Sequence, residues 1–389
     1  MNDTIEDSPI NHAMEILIEQ GFGGMDQVMS IMVNEAMKIE RAKALRAAPY
    51  ERTPARMGHA NGYKAKNVKS RLGNLALAIP QVRDGVEFYP SALEKGERSE
   101  RALKLCMAQM YIEGVTTRKV STVLEAMCGL SFSSSDVSRA TSLLDDELEK
   151  WRNRPLGKVE YLIIDARYEK VRMDGAVVSC AVLIATGVLM DGRRSVLGVS
   201  VSMSEAEVHW RDFLISLKER GMHGVKLVTS DNHSGLKKAL QTVLPGAAWQ
   251  RCQVHLQRNA AAYVPKIDMR EGVATDIRSI FNAPDREEAE RLLSKQVEKY
   301  RKTAGRLSVW MEENLPDGLT IFALPAKHRL RLRTSNMVER QNREIRRRTR
   351  VSGLFPNEAA LLRLVSAILM EVSEEWESAD KAYLKMEAD

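Results

Sequence analysis

Two aspartates occupy positions where a carboxylate needs a partner. Asp165 directly follows the apolar run 162–164, which predicts a strand, and a carboxylate there is costly unless something compensates it. Asp231 lies just past another short apolar run, 225–229. Separately, Asp165 could pair with Arg167, and Asp231 could cap the helix that follows it. If both strands belong to one sheet, the two carboxylates lie on the same edge and repel each other unless a cation lies between them.

A third acidic residue further along the chain would complete a metal site. Glu339 lies 108 residues after Asp231, a gap long enough for an inserted helical domain. Hard divalent cations take oxygen ligands, and two ions about 3.5–4 Å apart can hold the attacking and leaving oxygens of a phosphoryl transfer. The pattern therefore predicts that Asp165, Asp231 and Glu339 are catalytic residues and the ligands of two ions, Mg²⁺ or Mn²⁺.

The basic segment around Glu339 contains a competing glutamate. Residues 329–350 hold nine arginines and two glutamates, Glu339 and Glu344. Asn336 could cap the helix and make Glu339 the partner in a capping box, which is a structural role. At about 100° per residue, however, Glu339 shares an arc of about 60° with three arginines, whereas Glu344 lies about 140° away. This geometry favours Glu339 as the catalytic acid. The arginines expected to contact DNA from this helix are Arg343, Arg346, Arg347 and Arg350.

A Cys-x-x-His pair, Cys252 and His255, admits three interpretations. It is half of a zinc site, but the sequence offers no matching second half, which disfavours zinc. Cys252 could be a buried cysteine beside a histidine that packs near the site. Alternatively, His255 contacts the scissile phosphate or orients one of the acids. We assign both residues a supporting role.

The elements that carry the acids predict a mixed α/β core. Three β-rich segments, 161–172, 177–190 and 195–203, are joined by Asp-Gly turns, the strongest short-range hairpin signal. A helix, a strand, a second helix and a fifth strand follow and end near residue 254. This β-β-β-α-β-α-β order differs from a Rossmann order, in which helices alternate with strands from the start. It is the order expected of a ribonuclease-H-like core.

The N-terminal part predicts nucleic-acid binding. The helical pattern over 12–48 fits either a methionine-rich core face or a dimerising helix. Strands between 61 and 85 carry a cluster of basic residues, and three helices follow between 99 and 150 with a glycine turn at 128–130. The third of these helices is expected to be long, from its serine cap at 133–135 through Trp151. Helix, glycine turn and serine-capped helix form the helix-turn-helix arrangement, although such units also serve as scaffolds. The residues expected to contact DNA here are Lys64, Lys66, Lys69, Arg71, Ser134, Ser135, Ser138 and Arg139.

Charge and composition agree with a cytoplasmic DNA-binding protein. The net charge is +6, and residues 38–71 hold ten basic and two acidic residues. Hydrophobic residues make up 44% of the chain and no apolar run approaches about 20 residues, which excludes bulk disorder and predicts no membrane span. The acidic start, with no Lys or Arg before residue 20, is unlike an export signal. Four scattered cysteines fit a reducing cytoplasm, where we expect a nucleoid-associated protein.

At four places the sequence resembles the mutator family of bacterial insertion-sequence transposases, which belong to the Asp-Asp-Glu (DDE) class. The resemblance extends over about residues 25–365. The segments that carry it are 164–168, 229–231, 251–255 and 334–350, the last with Asn336, Glu339, Asn342 and the arginines 346–348. The resemblance implies that the family's three catalytic acids correspond to Asp165, Asp231 and Glu339. It also implies that the family's Cys-x-x-His signature corresponds to Cys252 and His255.

The resemblance implies a DNA transposase with a ribonuclease-H-like fold and an all-helical insertion. Such an enzyme would bind the terminal inverted repeats of its element, nick their ends with two metal ions and join the freed 3′-hydroxyl to target DNA. Action as a homodimer on paired double-stranded DNA ends, and a circular intermediate of the element, are also implied. The alternatives are a metal-dependent DNA nuclease on the same fold and a non-catalytic, domesticated helix-turn-helix protein.

Five segments are expected along the chain. They are 1–95 (N-terminal helices and basic strands), 96–157 (helix-turn-helix-like DNA-binding domain), 158–256 (first part of the ribonuclease-H-like core), 257–330 (helical insertion) and 331–389 (catalytic and C-terminal helices).

Overall fold

The computed structural model describes residues 8–386 and divides the chain into two compact units, residues 1–143 and 144–389. The expected division into five segments stays a prediction. In one respect the observed units differ from it, because the helix at 145–152 belongs to the second unit rather than to the helix-turn-helix-like segment 96–157. Within the described residues, no helix is both long and apolar enough to cross a membrane.

The first unit begins with two helices and a β-hairpin. Its elements are α1 (Pro9–Gln20), a 3₁₀ turn (Gly21–Gly24), α2 (Met25–Leu45), β1 (His59–Ser70) and β2 (Gly73–Arg83). The two strands pair antiparallel, and Leu75 and Leu77 alternate with exposed residues, so that β2 has one apolar face. This face packs with Met37 of α2 and Val68 of β1 into a small core. The methionine-rich helix predicted over 12–48 thus contributes a core face.

Three further helices form a second small core in the first unit. They are α3 (Arg101–Ile112), α4 (Thr117–Cys128) and α5 (Ser134–Thr141). Thr116 caps α4 by accepting a hydrogen bond from the backbone of Lys119, and Gly129 ends the helix in the left-handed conformation that favours glycine. Ser133 and Asp136 form a capping box at the start of α5. The predicted serine-capped helix after a glycine turn is confirmed.

The third of these helices is shorter than the sequence predicts. A single long helix through Trp151 was expected, and that expectation is wrong. A 3₁₀ turn, Ser142–Leu144, separates α5 from α6 (Asp145–Arg152), and the boundary between the two units falls in this turn. Helical periodicity does not reveal such a break, because the 3₁₀ turn is only three residues long and its about 3.0 residues per turn shift the pattern too little to register.

The second unit is built on a five-stranded mixed sheet. Its elements after α6 are β3 (Val159–Met173), β4 (Ala176–Leu189), β5 (Arg194–Ser202), α7 (Glu207–Glu219), β6 (Leu227–Ser230), α8 (Ser234–Val243) and β7 (Ala248–Arg251). The strand order is β5-β4-β3-β6-β7. The first three strands form an antiparallel meander, and β6 and β7 continue the sheet parallel to β3. The mixed α/β class and the predicted β-β-β-α-β-α-β order are confirmed.

One face of this sheet is covered by α7 and α8. Leu162 and Ile164 of β3 pack there with Trp210 and Leu214 of α7. Because successive side chains of a strand point to opposite faces, Asp165 belongs to the other face. That face of β3 is met by the last two helices of the chain.

The rest of the described chain is helical. Its helices are α9 (Gln253–Ala260), α10 (Arg270–Phe281), α11 (Arg286–Arg301), α12 (Gly305–Asn314), α13 (Ala326–Leu332), α14 (Asn336–Ser352) and α15 (Glu358–Glu377). Short 3₁₀ turns connect several of them. The helices from α9 to α13 separate β7 from α14 in sequence, while α14 and α15 return to contact β3.

Candidate active site

Asp165 of β3 lies beside Asp231, the first residue after the parallel strand β6. The pairing of β3 with β6 aligns Ile163 with Thr229, so Asp165 lies two residues beyond this pair on β3, and Asp231 lies two residues beyond it where the chain leaves β6. Neighbouring strands are about 4.8 Å apart, so the two carboxylates are adjacent where β6 ends. Burial, followed by the charge of Asp231, raises the pKa of Asp165 to about 7 from its usual 3.8. The structure therefore brings together the two aspartates that the sequence singled out.

His255 connects Asp231 to Glu339. It lies on α9, where its Nδ1 forms an ion pair with Asp231 Oδ1 and its Nε2 is 3.7 Å from Glu339 Oε1. Contact with Asp231, and then with Cys252, raises the pKa of His255 to about 10 from 6.5. The imidazole is therefore protonated at neutral pH and places a positive charge between two acids. Of the interpretations of His255, the structure favours the one in which it orients an acid.

Glu339 lies in the first turn of α14. The helix begins at Asn336 after the cap residue Ser335, whose side chain makes no capping hydrogen bond. The alternative in which Asn336 caps the helix and Glu339 completes a capping box is therefore wrong, because Asn336 is already helical. Besides His255, Glu339 has a second cationic partner, since Arg258 Nη1 lies 3.3 Å from its Oε1.

Cys252 is fully buried at the start of α9. The backbone N–H and the hydroxyl of Ser335 both donate to its Sγ at 3.3 Å. Burial alone would raise the pKa of the thiol, but hydrogen bonds from His255 and Ser335 outweigh it and lower the pKa. Ligand atoms of Cys252, His255 and Asp231 all lie within 4.8 Å of one another. Asp231, which follows β6, is thus a third potential ligand for a metal ion, and the Cys-x-x-His spacing could not indicate it.

Sequence reasoning from the acids alone gave no role to Asn342. Its Nδ2 donates to Asp165 Oδ2 at 2.6 Å, and Arg167 of β3 donates to its backbone carbonyl. Asn342 follows Glu339 by three residues, so both project from the same side of α14. That spacing is the sequence signal that could have identified it.

Glu344 lies outside this group of contacts. It pairs with Arg347 and with the buried Arg348, and these hydrogen bonds lower its pKa. Arg348 also binds Glu371 of α15. The predicted separation of the two glutamates is therefore observed. The other arginines expected to contact DNA from α14 all have exposed side chains, namely Arg343, Arg346, Arg347 and Arg350.

The basic residues of the first unit surround a large open groove. Its volume is about 1580 Å³, and its cationic lining includes Lys64, Lys66, Lys69, Lys95, Arg98, Lys104 and Arg139. Several of these have partners within the unit: Lys69 donates to Ser131 O, and Arg139 pairs with Asp136.

The remaining predicted DNA contacts of the first unit differ in their surroundings. Arg71 pairs with Glu100 at 2.5 Å and does not line the groove. Ser134, Ser135 and Ser138 are exposed on α5. All of these assignments as DNA contacts stay predictions.

Comparison with known proteins gives consistent matches over nearly the whole chain. A model of the mutator family of transposases matches residues 6–379. The chain is 52% identical over 382 residues to the transposase for insertion sequence element IS406 of Burkholderia multivorans, covering 98% of each chain. It is 42% identical over 365 residues to the transposase for insertion sequence element ISRM5 of Rhizobium meliloti, covering 94% of this chain and 91% of that protein.

Among solved structures, the chain is similar to the HTLV-2 integrase catalytic core domain in complex with magnesium. The match has 12% identity and a TM-score of 0.17, and it covers 34% of this chain and 90% of that chain. The strand order and directions described above define the fold independently of that weak superposition.

Proposed function

Because this chain belongs to the mutator family of transposases, we propose that it cleaves the ends of an insertion sequence and joins them to new DNA at a centre formed by Asp165, Asp231 and Glu339. The observation that carries the proposal is the convergence of acids from β3, from the end of β6 and from α14. The charge of Asp231 acts on Asp165, and Asp231 is linked through His255 to Glu339. The meander followed by two parallel strands supports a ribonuclease-H-like core for this centre.

The residues present fit a pair of divalent cations. Burial, and then the charge of the neighbouring Asp231, raise the pKa of Asp165 to about 7, and a bound cation would stabilise the ionised carboxylate against both effects. Protonated His255 and Arg258 supply positive charge beside Asp231 and Glu339 in the metal-free protein. Oxygen donors of this kind suit Mg²⁺ or Mn²⁺, and Asp165, Asp231 and Glu339 would hold the ions. When bound, they supply Lewis-acid stabilisation of the charge that develops at phosphorus.

The chain's own residues then position the DNA strand and the acids. His255 holds Asp231 and Glu339 at a fixed separation, and Arg258 keeps Glu339 directed towards the same group. The exposed arginines of α14 offer guanidinium groups to the phosphates of the bound strand. With water as the nucleophile, a P–O3′ bond at the element end would break and free a 3′-hydroxyl. With that hydroxyl as the nucleophile, a phosphodiester of the target would be attacked, joining the element end to the target's 5′-phosphate and releasing a target 3′-hydroxyl.

Recognition of the element's terminal inverted repeats is assigned to the first unit. Its groove carries lysines and arginines from the hairpin and from the three-helix core, and its exposed serines on α5 follow a glycine turn as in a helix-turn-helix. Phosphate contacts of this type dominate affinity and position the protein on the duplex. Two copies acting on paired ends would bring the two termini of the element together.

A strand-transfer assay tests the proposal. Purified protein is mixed with labelled DNA carrying the element's own terminal repeats, with a scrambled-end duplex as the control, in Mg²⁺ and then in excess chelator. We expect nicking and joined products from the native ends only, and no product in chelator. Nicks without joined product would indicate a nuclease instead. Binding without either product would indicate a DNA-binding protein that has lost catalysis. Either result would overturn the proposal.

A further inference from the structure

Alternate residues of β3 make a series of polar contacts with α14. Asp165 accepts a hydrogen bond from Asn342 Nδ2 at 2.6 Å. Two residues on, Arg167 donates to the backbone carbonyl of the same asparagine. Two residues further, Glu169 accepts a hydrogen bond from Thr349 at 3.0 Å. The strand residues share one face because side chains alternate, so these contacts fix the register of the helix against the strand.

We propose that Asn342 is a positioning residue that holds the carboxylate of Asp165 in the orientation required for metal binding. This inference rests on the proposed function of Asp165. Asn342 acts through Asp165 and belongs to the helix that also carries Glu339, so a single rigid element sets the placement of two of the three acids.

The chemistry of the amide suits this task. Asp231 and Glu339 have cationic partners, His255 and Arg258, whereas Asp165 receives its side-chain hydrogen bond from a neutral group. A neutral donor orients a carboxylate and leaves its negative charge available to a cation. The carbonyl oxygen of the same amide also indicates a functional role for this side chain, because Asn342 Oδ1 is buried and has no hydrogen-bond partner among the described residues. Such an atom costs stability unless the site gains from it.

The asparagine is itself held in place by its surroundings. Arg167 binds its carbonyl from β3, and Thr186 of β4 donates to the neighbouring Gln341 at 3.2 Å in a buried contact. Two strands of the sheet therefore anchor the turn of α14 that carries Asn342. Groups outside the metal's own ligands that are fixed in this way orient the ligands, and their loss typically lowers metal affinity about 10- to 100-fold.

The test compares three variants of the full-length protein. Asn342→Ala removes the donor, and Asn342→Asp keeps the shape of the side chain but replaces the donor by a second carboxylate. Asn336→Ala is the matched control, because Asn336 is an exposed asparagine on the same helix. Mn²⁺ binding is measured by calorimetry without DNA, nicking is measured against Mg²⁺ concentration, and thermal unfolding monitors the fold.

We expect Asn342→Ala to weaken Mn²⁺ binding about 10- to 100-fold and to raise the Mg²⁺ concentration for half-maximal nicking by a similar factor. Asn342→Asp should be worse than Asn342→Ala, because its carboxylate would face Asp165 without a donor. Asn336→Ala should match the unmodified protein. If Asn342→Ala fails to fold, the comparison of Asn342→Asp with the unmodified protein carries the test.

Two results would overturn the inference. Unchanged Mn²⁺ affinity in Asn342→Ala would mean that Asp165 needs no such support. Asn342→Asp binding metal as well as or better than Asn342→Ala would mean that shape, or a direct ligand role, matters rather than the donor. Failure of the proposed function is recognised separately, because an Asp165→Asn variant would then still nick DNA in Mg²⁺.

Discussion

At the scale of single residues, a protonated histidine holds the metal-free site together. Asp231, and then Cys252, raise the pKa of His255 to about 10 from 6.5. Because the folded pKa is the higher one, this stabilisation is fully present below about pH 6.5 and is lost as the pH rises towards 10. Asp165 changes the stability of the fold over a lower pH range, since its folded pKa of about 7 exceeds the usual 3.8. The folded protein then binds more protons than the unfolded chain, so stability falls as the pH rises between these values.

We therefore expect the metal-free transposase to lose thermal stability between pH 7 and pH 10, and a His255→Asn variant to lose less of it over that range. The variant lacks the titrating imidazole and its hydrogen bond to Cys252, so the difference in slope reports the removal of this coupled pair. Melting temperatures in chelator, measured at half-unit pH steps, give the two slopes. Equal slopes would mean that His255 does not carry a raised pKa in the folded protein.

The two glutamates of α14 should differ sharply when each is replaced. Glu339→Gln should eliminate nicking, because it removes a charge that lies among Asp231, His255 and Arg258. Glu344→Gln should keep most nicking, because that side chain pairs with Arg347 and Arg348 away from the acids. Both substitutions preserve size, which makes each the control for the other. Nicking by both variants is measured in the same Mg²⁺ assay. If Glu339→Gln nicks DNA and Glu344→Gln does not, the catalytic acid has been misassigned.

Asp165→Asn and Asp231→Asn should abolish nicking and joining while leaving DNA-end binding within about threefold. Each substitution removes a metal ligand of the proposed centre, whereas affinity for DNA comes mainly from lysine and arginine contacts with phosphate. Gel-shift titrations and the strand-transfer assay, run on the same preparations, separate the two effects. A variant that still joined strands in Mg²⁺ would contradict the assignment of its aspartate.

At the scale of elements, a close backbone contact positions the loop that carries Asp231. Gly235 lies in the first turn of α8, and a Cβ there would come within 2.5 Å of the carbonyl oxygen of Glu205 and 2.9 Å of the N–H of Glu207. Both are backbone atoms, so the segment before α7 or the start of α8 would have to move. Glycine at position 235 therefore allows the first turn of α8 to pack directly against the backbone of residues 205–207, and this packing positions the helix start that follows Asp231.

Gly235→Ala should destabilise the protein by about 1–3 kcal/mol, the usual cost of overpacking a close contact, and should lower nicking by displacing Asp231. Gly246→Ala is the matched control, because a Cβ at that glycine meets nothing within 4 Å. Urea denaturation of both variants gives the difference in the free energy of unfolding. Equal stability of the two variants would mean that the contact at Gly235 relaxes without cost.

The sequence predicts the elements of the catalytic core well, because their signals are local. Apolar runs, Asp-Gly turns and helical periodicity lie within each element, and they locate β3 to β7 with α7 and α8. The sequence also predicts that Asp165 and the residue just after β6, Asp231, come together, and the structure shows this. The partners of the acids are harder to predict, because Arg258 and Asn342 reach them from distant parts of the chain. For His255, the Cys-x-x-His pair left three interpretations open. The true cap of α14 at Ser335 was also missed, since Asn336 has the stronger capping propensity.

At the scale of the whole molecule, each unit has a hydrophobic core of its own. In the first unit, α2 and the hairpin share one cluster and the three helices α3 to α5 share another. The second unit is built around the sheet and the helices α7 and α8. Separate cores suggest that residues 1–143 can fold as an independent fragment, and this fragment contains the basic groove.

We expect the fragment 1–143 to be folded by circular dichroism and to bind the element's terminal repeats more tightly than a scrambled duplex. Its affinity should fall steeply with salt, because binding to phosphates releases counterions. Lys64→Ala removes an exposed cation that lines the groove, so it should weaken binding and reduce the slope of log affinity against log salt by about one. Lys43→Ala is the matched control, because this exposed lysine does not line the groove.

Fluorescence anisotropy from about 50 to about 300 mM salt gives the slopes, at concentrations where phosphate contacts respond strongly. If the folded fragment binds both duplexes equally, end recognition does not lie in the first unit. If the salt slope of Lys43→Ala is as low as that of Lys64→Ala, the groove is not the surface that contacts phosphates.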